Sequence, residues 1–299
     1  MTTYFATIGF FDGVHLGHRY LIEQLRQAAD AAEMLPMAVT FSRHPRETLG
    51  LDTPPLLTTS EERTALLRAV VGGVVVLNFT PQMARLTSRE FMRDVLLPLG
   101  VRGLLVGFNH HFGSDRDTTF DQLYDYATAL GVRVLRARPL QSGNVSSTRI
   151  RQAVSQGRID EAARLLGRSY TLTGPVIHGQ HIGRTLGFPT ANIMPPANKL
   201  LPANGVYIGR VKDSANATLK KEERGAVINI GTRPTIDTLG QRTIEAHLPG
   251  FSGNLYGHML TLSFDHRLRD ERQFPELAGL KAQIEADTVA CLDFYSTKR

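Results

Sequence analysis

The stretch GFFDGVHLGH, residues 9–18, decides how the chain is read. It follows TTYFATI, residues 2–8, an apolar-rich run that reads as a strand. From Arg19 to Glu33 the period changes, and Leu21, Ile22, Leu25, Ala28, Ala29 and Ala32 fall on one helical face. His15 and His18 therefore stand where a strand hands over to a helix, with Gly17 between them. Backbone N–H groups are unpaired at such a point and the helix dipole is positive, so it is a ready anion site. Histidines there donate hydrogen bonds to phosphate oxygens, and a glycine lets a bulky ligand approach the backbone. Two solvated histidines capping a helix would be the ordinary alternative. The lead-in through Gly9, Phe10 and Asp12 at the strand-to-helix switch favours a phosphate site. Fixed donors of this kind stabilise charge that develops when a nucleophile attacks the α-phosphate of ATP, with no covalent intermediate.

Outward from this stretch, strand and helix alternate. PMAVTF, GVVVLNF, GLLVGF and VRVLRA read as further strands. Helices lie between them, two announced by capping boxes at Thr59/Glu62 and Thr87/Glu90, the second before FMRDVLL, and another spanning FDQLYDYATAL. Short apolar strands alternating with helices predict a parallel, Rossmann-like sheet covered on both faces, with ligands at the carboxyl ends of its strands. SSTRIRQAVSQGRIDEAARLLG reads as two short helices broken at Gly157.

After residue 169 the helical period stops. TLTGPVI, GVYIGRV, GAVINIG, TIEAHL and HMLTLSF are short strands separated by Gly, Pro and Asn turns, the pattern of a small β-barrel or sandwich. The polar KDSANATLKKEERG is expected to be a hairpin loop. A closing helix is expected over 275–295, with Leu277, Leu280, Ile284, Thr288 and Cys291 along one side. The domains expected are 1–168 and 169–299.

Composition bounds the function. A chain of 299 residues with 42% apolar and 21% charged residues fits two soluble domains. No apolar run approaches the roughly 18 residues needed to cross a bilayer, and no basic segment followed by an apolar core opens the chain. The single cysteine, Cys291, excludes an intrachain disulfide and makes the cytoplasm the expected location. The net charge of +6 is spread without a Lys/Arg block or a basic patch interleaved with aromatics, so small anionic ligands account for it and nucleic acid is not expected.

GFFDGVHLGH resembles the nucleotidyltransferase motif of the bacterial bifunctional riboflavin kinase/FMN adenylyltransferase family. NVSSTRIRQAV, residues 144–154, resembles the S-S-T-x-I-R signature of the same family. Its Ser147 and Thr148 open a predicted helix and Arg151 follows one turn later, which together make a phosphate clamp. VGFNHHFG resembles G-x-D-F-x-F-G, with Asn109 where Asp is more usual; the amide keeps hydrogen bonding and loses charge. The glycine often seen after the arginine of GSDRDTTF is also missing.

HGQHIGRTLGFPTANI, residues 178–193, is the most specific string in the chain. It lacks the G-K-[ST] of a Walker A loop and resembles the riboflavin kinase motif G-x-x-x-G-R-x-L-G-F-P-T-A-N nearly letter for letter. Gly179, Gly183 and Gly187 let a loop wrap a ligand, beside Arg184, Phe188 and Pro189. The resemblance implies that Thr190 and Asn192 hold Mg²⁺ with ATP phosphates, as hard oxygen ligands suit that ion. VINIGTRPTI, carrying Asn229 and Arg233, resembles a pocket-shaping N-I-G-x-R-P-T segment. TIEAHLPGF resembles the strand of the kinase's catalytic glutamate, which falls on Glu245, with His247 structural and Gly250 in place of a frequent Asp. LYG and RDERQF also match, and Arg269 is implied to help close the flavin site.

The resemblance covers nearly the whole chain. It implies an α/β nucleotidyltransferase domain followed by a small β-barrel riboflavin kinase domain with a C-terminal helix. The implied substrates and products are ATP, riboflavin, FMN and FAD. Alternatives are a riboflavin kinase with a weakened adenylyltransferase site, a flavin sensor without turnover, and an RNA-binding protein. Oligomeric state is left open.

Overall fold

The computed structural model describes residues 2–107, 112–115, 118–141, 144–179, 182–213, 223–232 and 242–297. Two compact units divide the chain, Met1–Ser147 and Thr148–Arg299.

Among the described residues, the first unit is built on five parallel strands: β1 Tyr4–Ile8, β2 Leu35–Phe41, β3 Gly73–Leu77, β4 Val101–Val106 and β5 Arg133–Arg136. Their order is β3-β2-β1-β4-β5. Helices α1 Leu16–Ala31, α2 Pro45–Thr48, α3 Ser60–Val71, α4 Ser88–Phe91 and α5 Phe120–Ala129 connect them. Side chains alternate across β1 as a strand requires. Phe5 packs with Ile22, Leu25 and Ala29 of α1 and Leu67 and Val71 of α3. Ala6 and Ile8 pack on the other face with Phe91 of α4 and Leu123 and Ala127 of α5. Both faces of the sheet are thus buried, which is why its strands read as continuous apolar runs. The chain reverses direction across the sheet between β1 and β4, and ligands bind at the strand ends of such a switch point.

Both capping boxes form at Thr59/Glu62 and Thr87/Glu90. Two details differ from expectation. α1 begins at Leu16 because the His15 side chain caps it. α4 is a single turn that runs directly into a π-helical turn over Met92–Leu96.

The second unit holds α6 from Thr148 onward (the helix is Ser147–Ser155), α7 Ile159–Leu166 and a closed antiparallel barrel. Gly157 separates the two helices at φ 71°. The barrel strands are β6 Tyr170–Ile177, β7 Thr190–Ile193, β8 Gly205–Asp213, β9 Arg224–Thr232, β10 Arg242–His247 and β11 Met259–Arg269, closing in the order β10-β7-β6-β11-β8-β9. A single helical turn, α8 Ile182–Thr185, precedes β7, and α9 Leu277–Ser296 closes the chain. β7 is the strand that sequence reading took for loop alone. All four of its residues pair with β10, a strand far along the chain for which no local pattern speaks, and Asn192 and Ile193 also pair with β6. On α9, Cys291 packs with Val206, Ile208 and Val227, whereas Leu277, expected on the inner side, is the first residue of the helix and 65% exposed. Most of the expected hairpin loop lies outside the described residues.

Candidate active sites

The first site is the turn between β1 and α1. Phe11 and Val14 adopt left-handed backbone conformations at φ 54° and 39°, and Gly13 lies at 82°. Left-handed non-glycine residues cost roughly 1–3 kcal/mol each and persist only when their surroundings fix them. Here burial fixes them, since Phe11 and Val14 sit in the core shared with α1 and α3. Asp12 anchors the turn from the other side. Its carboxylate accepts hydrogen bonds from the Leu57 and Thr58 amides and the Thr58 hydroxyl, each at 3.0 Å. The Gly13 amide donates to the Thr58 hydroxyl oxygen. Asp12 is only 3% exposed.

The turn presents the two histidines together. The His18 amide donates to His15 Nδ1 at 3.3 Å, so in the neutral ring the His15 proton resides on Nε2. The rings stack with centroids 3.6 Å apart. A Cβ on Gly17 would lie 3.2 Å from His15 Cε1 and Nδ1 and crowd that ring. Burial, then the neighbouring His15, holds the His18 pKa well below its ordinary value, and His18 Nδ1 is buried without a hydrogen-bond partner. The amides of Leu16 and Gly17 open the first turn of α1, where N–H groups lack intrahelical acceptors. The Ser147 hydroxyl donates to the Asp12 carbonyl at 2.9 Å. Thr148 and Arg151 follow on that helix.

Beneath Phe10 lies a feature that sequence reading missed. Arg63 of α3 is fully buried. Its guanidinium sits 4.2 Å from the Phe10 ring centroid and donates to the Phe41 carbonyl at 2.6 Å. Burial lowers its pKa, and the charges of Asp12 and Glu61 oppose the shift. A capped amphipathic helix gives no local sign that one of its arginines points inward. Gly9 adjoins the Phe11 ring, leaving no room for a Cβ. Asn109 lies outside the described residues.

The second site is on the barrel. In register, Asn192 of β7 pairs with Glu245 of β10, and Glu245 pairs on its other side with Asn229 of β9. Thr190, two residues from Asn192, shares its face, and the Thr190 hydroxyl donates to Glu245 Oε2 at 3.3 Å. His247 pairs with Thr190, and its Nδ1 lies 3.0 Å from the Pro189 carbonyl, which can only accept, so the proton is on Nδ1. The ring meets Phe188 edge-on, with centroids 5.4 Å apart.

The glycine-rich segment wraps this face. A Cβ on Gly179 would fall 2.3 Å from Asn192 Nδ2, and one on Gly183 would fall 2.4 Å from the Phe188 carbonyl oxygen. Gly187 lies at φ 89°. Arg233 and the side chain of Arg184 lie outside the described residues.

Two cavities share Thr190. One, about 300 Å³, has Glu245, Asn229, His247 and Arg269 in its wall. The other, about 530 Å³, lies between Thr190 and the Phe251–Tyr256 segment. Each is large enough for a small organic ligand. Asp287, Glu271 and Phe274 also line the smaller cavity; sequence reading had singled out none of them.

The donor set suits a divalent cation. Thr190, Asn192 and Glu245 supply hard oxygen atoms on one face, and the bare Cα of Gly179 leaves the Asn192 amide its place. Among the described residues no group of three or more His, Cys, Asp or Glu forms a metal cage.

A family model described as FAD synthetase matches residues 2–149, and one described as riboflavin kinase matches residues 166–295. A Haemophilus influenzae protein named bifunctional riboflavin kinase/FMN adenylyltransferase is 39% identical over 298 residues, covering 97% of this chain and 94% of the relative. A Pseudomonas fluorescens protein of the same name is 37% identical over 295 residues, covering 95% and 91%. The chain belongs to this family. Matches to both halves support the two-activity reading over the kinase-only alternative. Enzymes of the family use ATP and a divalent metal. A crystal structure titled macrolide-efflux protein from Streptococcus pneumoniae superposes with a TM-score of 0.85 at 30% identity, covering 97% of this chain and 94% of that one. Efflux is what that title names; among the described residues here, no helix is long and apolar enough to cross a membrane.

Proposed function

We propose that the barrel phosphorylates riboflavin at the Glu245 face and that the β1–α1 turn transfers AMP from ATP to FMN. The observation that carries the kinase assignment is the convergence of Thr190, Asn192 and Glu245 on one face, beside two cavities that meet at Thr190. Glu245 accepts the proton of the terminal ribityl hydroxyl as that oxygen bonds to the γ-phosphorus; the bond to the bridging oxygen breaks and ADP leaves with its electron pair. Thr190 and Asn192 hold the cation, which we take to be Mg²⁺ and which, when bound, neutralises charge on the phosphate oxygens. We assign the flavin to the smaller cavity, with Asn229, Phe188 and Arg269 in its wall, and the nucleotide to the larger one. Gly179, Gly183, Arg184, Gly187 and Pro189 belong to the wrapping segment, and we take Arg233 as a further ATP- or flavin-binding residue.

In the other half, a phosphate oxygen of FMN attacks the α-phosphorus of ATP and pyrophosphate departs. His15, His18 and the amides beside Gly17 stabilise the charge on the reacting phosphates. We take Ser147, Thr148 and Arg151 as further phosphate-binding residues of this reaction, and Asn109 as a neutral one. Gly9, Phe10 and Asp12 act by shaping the turn. We keep the functional boundary at 168/169, since Thr148 and Arg151 serve the first reaction, and we assign both reactions to the cytoplasm.

Chromatography of flavin products tests the division. His18→Ala is expected to abolish FAD formation from FMN and leave FMN formation from riboflavin largely intact, and Glu245→Gln to do the reverse. Equal loss of both activities in either variant overturns it.

A further inference from the structure

Helix α9 is more than a cover for the barrel. Leu280, Ile284 and Asp287 recur at helical spacing and all line the cavity that holds Glu245. Two apolar residues and one carboxylate thus form a single stripe, with the carboxylate 4% exposed as a residue. Asp287 faces Arg269, the last residue of β11. Arg269 Nε donates to both carboxylate oxygens, at 3.0 and 3.2 Å, and its NH2 donates to Oδ2 at 2.6 Å. Gln283, one turn earlier on α9, donates to Asp287 Oδ1 at 2.9 Å. The Arg269 NH1 donates to the Asp270 carbonyl at 2.9 Å. A guanidinium carries five N–H donors in a rigid plane, so these bonds fix that plane and leave donors over for a ligand.

We propose that Asp287, steadied by Gln283, is the positioning residue of the kinase pocket. It holds the Arg269 plane against the flavin ring, so that the ribityl end of the substrate reaches Glu245. This rests on the kinase reading of the barrel. The ligand class that fits is a planar heteroaromatic ring with acceptor oxygens on one edge, set between the apolar residues of α9 and a fixed guanidinium. Asp287 itself acts through Arg269, since its oxygens are occupied by Arg269 and Gln283.

The test uses the full-length protein, with riboflavin, ATP and magnesium. Asp287→Asn is expected to raise the KM for riboflavin at least tenfold, with kcat and the KM for ATP within about threefold of wild type. Gln283→Ala, a milder change, is expected to raise the riboflavin KM about threefold. Combining Asp287→Asn with Arg269→Ala should weaken riboflavin binding no further than Arg269→Ala alone, because both act through one group. Circular dichroism and the thermal unfolding of the barrel, measured on the same preparations, report whether the variants are folded. If Asp287→Asn does not fold, Gln283→Ala decides. An unchanged riboflavin KM in the folded variants, a fall in kcat without a change in KM, or full additivity in the double variant overturns the proposal. Wild-type protein that makes no FMN would instead overturn the kinase reading itself.

Discussion

Asp12→Ala is the most informative single change in the first unit. The variant strips acceptors from two buried amides, Leu57 and Thr58, and from the Thr58 hydroxyl. Leaving a buried polar group unsatisfied costs roughly 1–3 kcal/mol, so the two amides alone weaken this contact by about 2–6 kcal/mol. On the other side stand Phe11 and Val14, whose left-handed backbones store roughly 1–3 kcal/mol each, again about 2–6 in all. The two quantities are of the same size. Once the clamp is gone, relaxation of the strained turn offsets the loss locally, while the sheet beneath keeps its two buried faces. The expected outcome is a folded protein whose FAD formation from FMN falls at least a hundredfold, with FMN formation from riboflavin within about twofold of wild type. Each 1.36 kcal/mol of lost transition-state stabilisation is a factor of ten, so about 3 kcal/mol suffices. Asp12→Asn, which retains one acceptor oxygen for Thr58, should fall between. The assay is product chromatography on one preparation supplied in turn with each flavin. An Asp12→Ala protein that makes FAD within threefold of the wild-type rate would refute the argument that this carboxylate holds the histidine turn.

Two further outcomes follow from the sites. With its pKa below the ordinary histidine value, His18 is neutral near pH 7 in the free protein; the negative charge of bound triphosphate favours the protonated ring and raises that pKa. Calorimetry in buffers of different ionisation enthalpy should therefore record proton uptake on ATP binding near pH 7 that is absent in His18→Ala, and identical uptake in both proteins would contradict it. Gly179→Ala places a methyl group 2.3 Å from the Asn192 amide nitrogen; displacement of that side chain should raise the magnesium concentration needed for half-maximal kinase activity about tenfold, and an unaltered magnesium titration would exclude the close approach.

The parts of this fold that were readable in sequence are those set by neighbours a few residues apart. The capping boxes at Thr59 and Thr87 each close within four residues, and the break at Gly157 needs one glycine. The alternation of apolar runs gave the layered first unit because both faces of its sheet are buried. What was not readable depends on contacts far along the chain. The sequence places Asp12 in the lead-in to the phosphate site, and nothing local shows that its carboxylate binds residues about 45 positions away. β7 is hidden in a glycine-rich string because its full-length pairing lies with β10. Asp287 carries no local sign in its own helix, because the arginine that meets it comes from β11. The start of α1 was set three residues late, since histidine is an uncommon cap and its ring does that work here.

The pairing of Asn192 with Glu245 ties the chemistry of the barrel to its assembly. Side chains alternate along a strand, so sliding β7 by one position would turn both Thr190 and Asn192 to the opposite side and strand the glutamate alone. A ring of strands closed on itself resists such slippage, because each is flanked by two others. On the proposed reading, phosphoryl transfer has to wait for the last strand to join, and a nascent chain that has emerged only as far as Glu245 already carries Thr190, Asn192 and Glu245 while still lacking a catalyst.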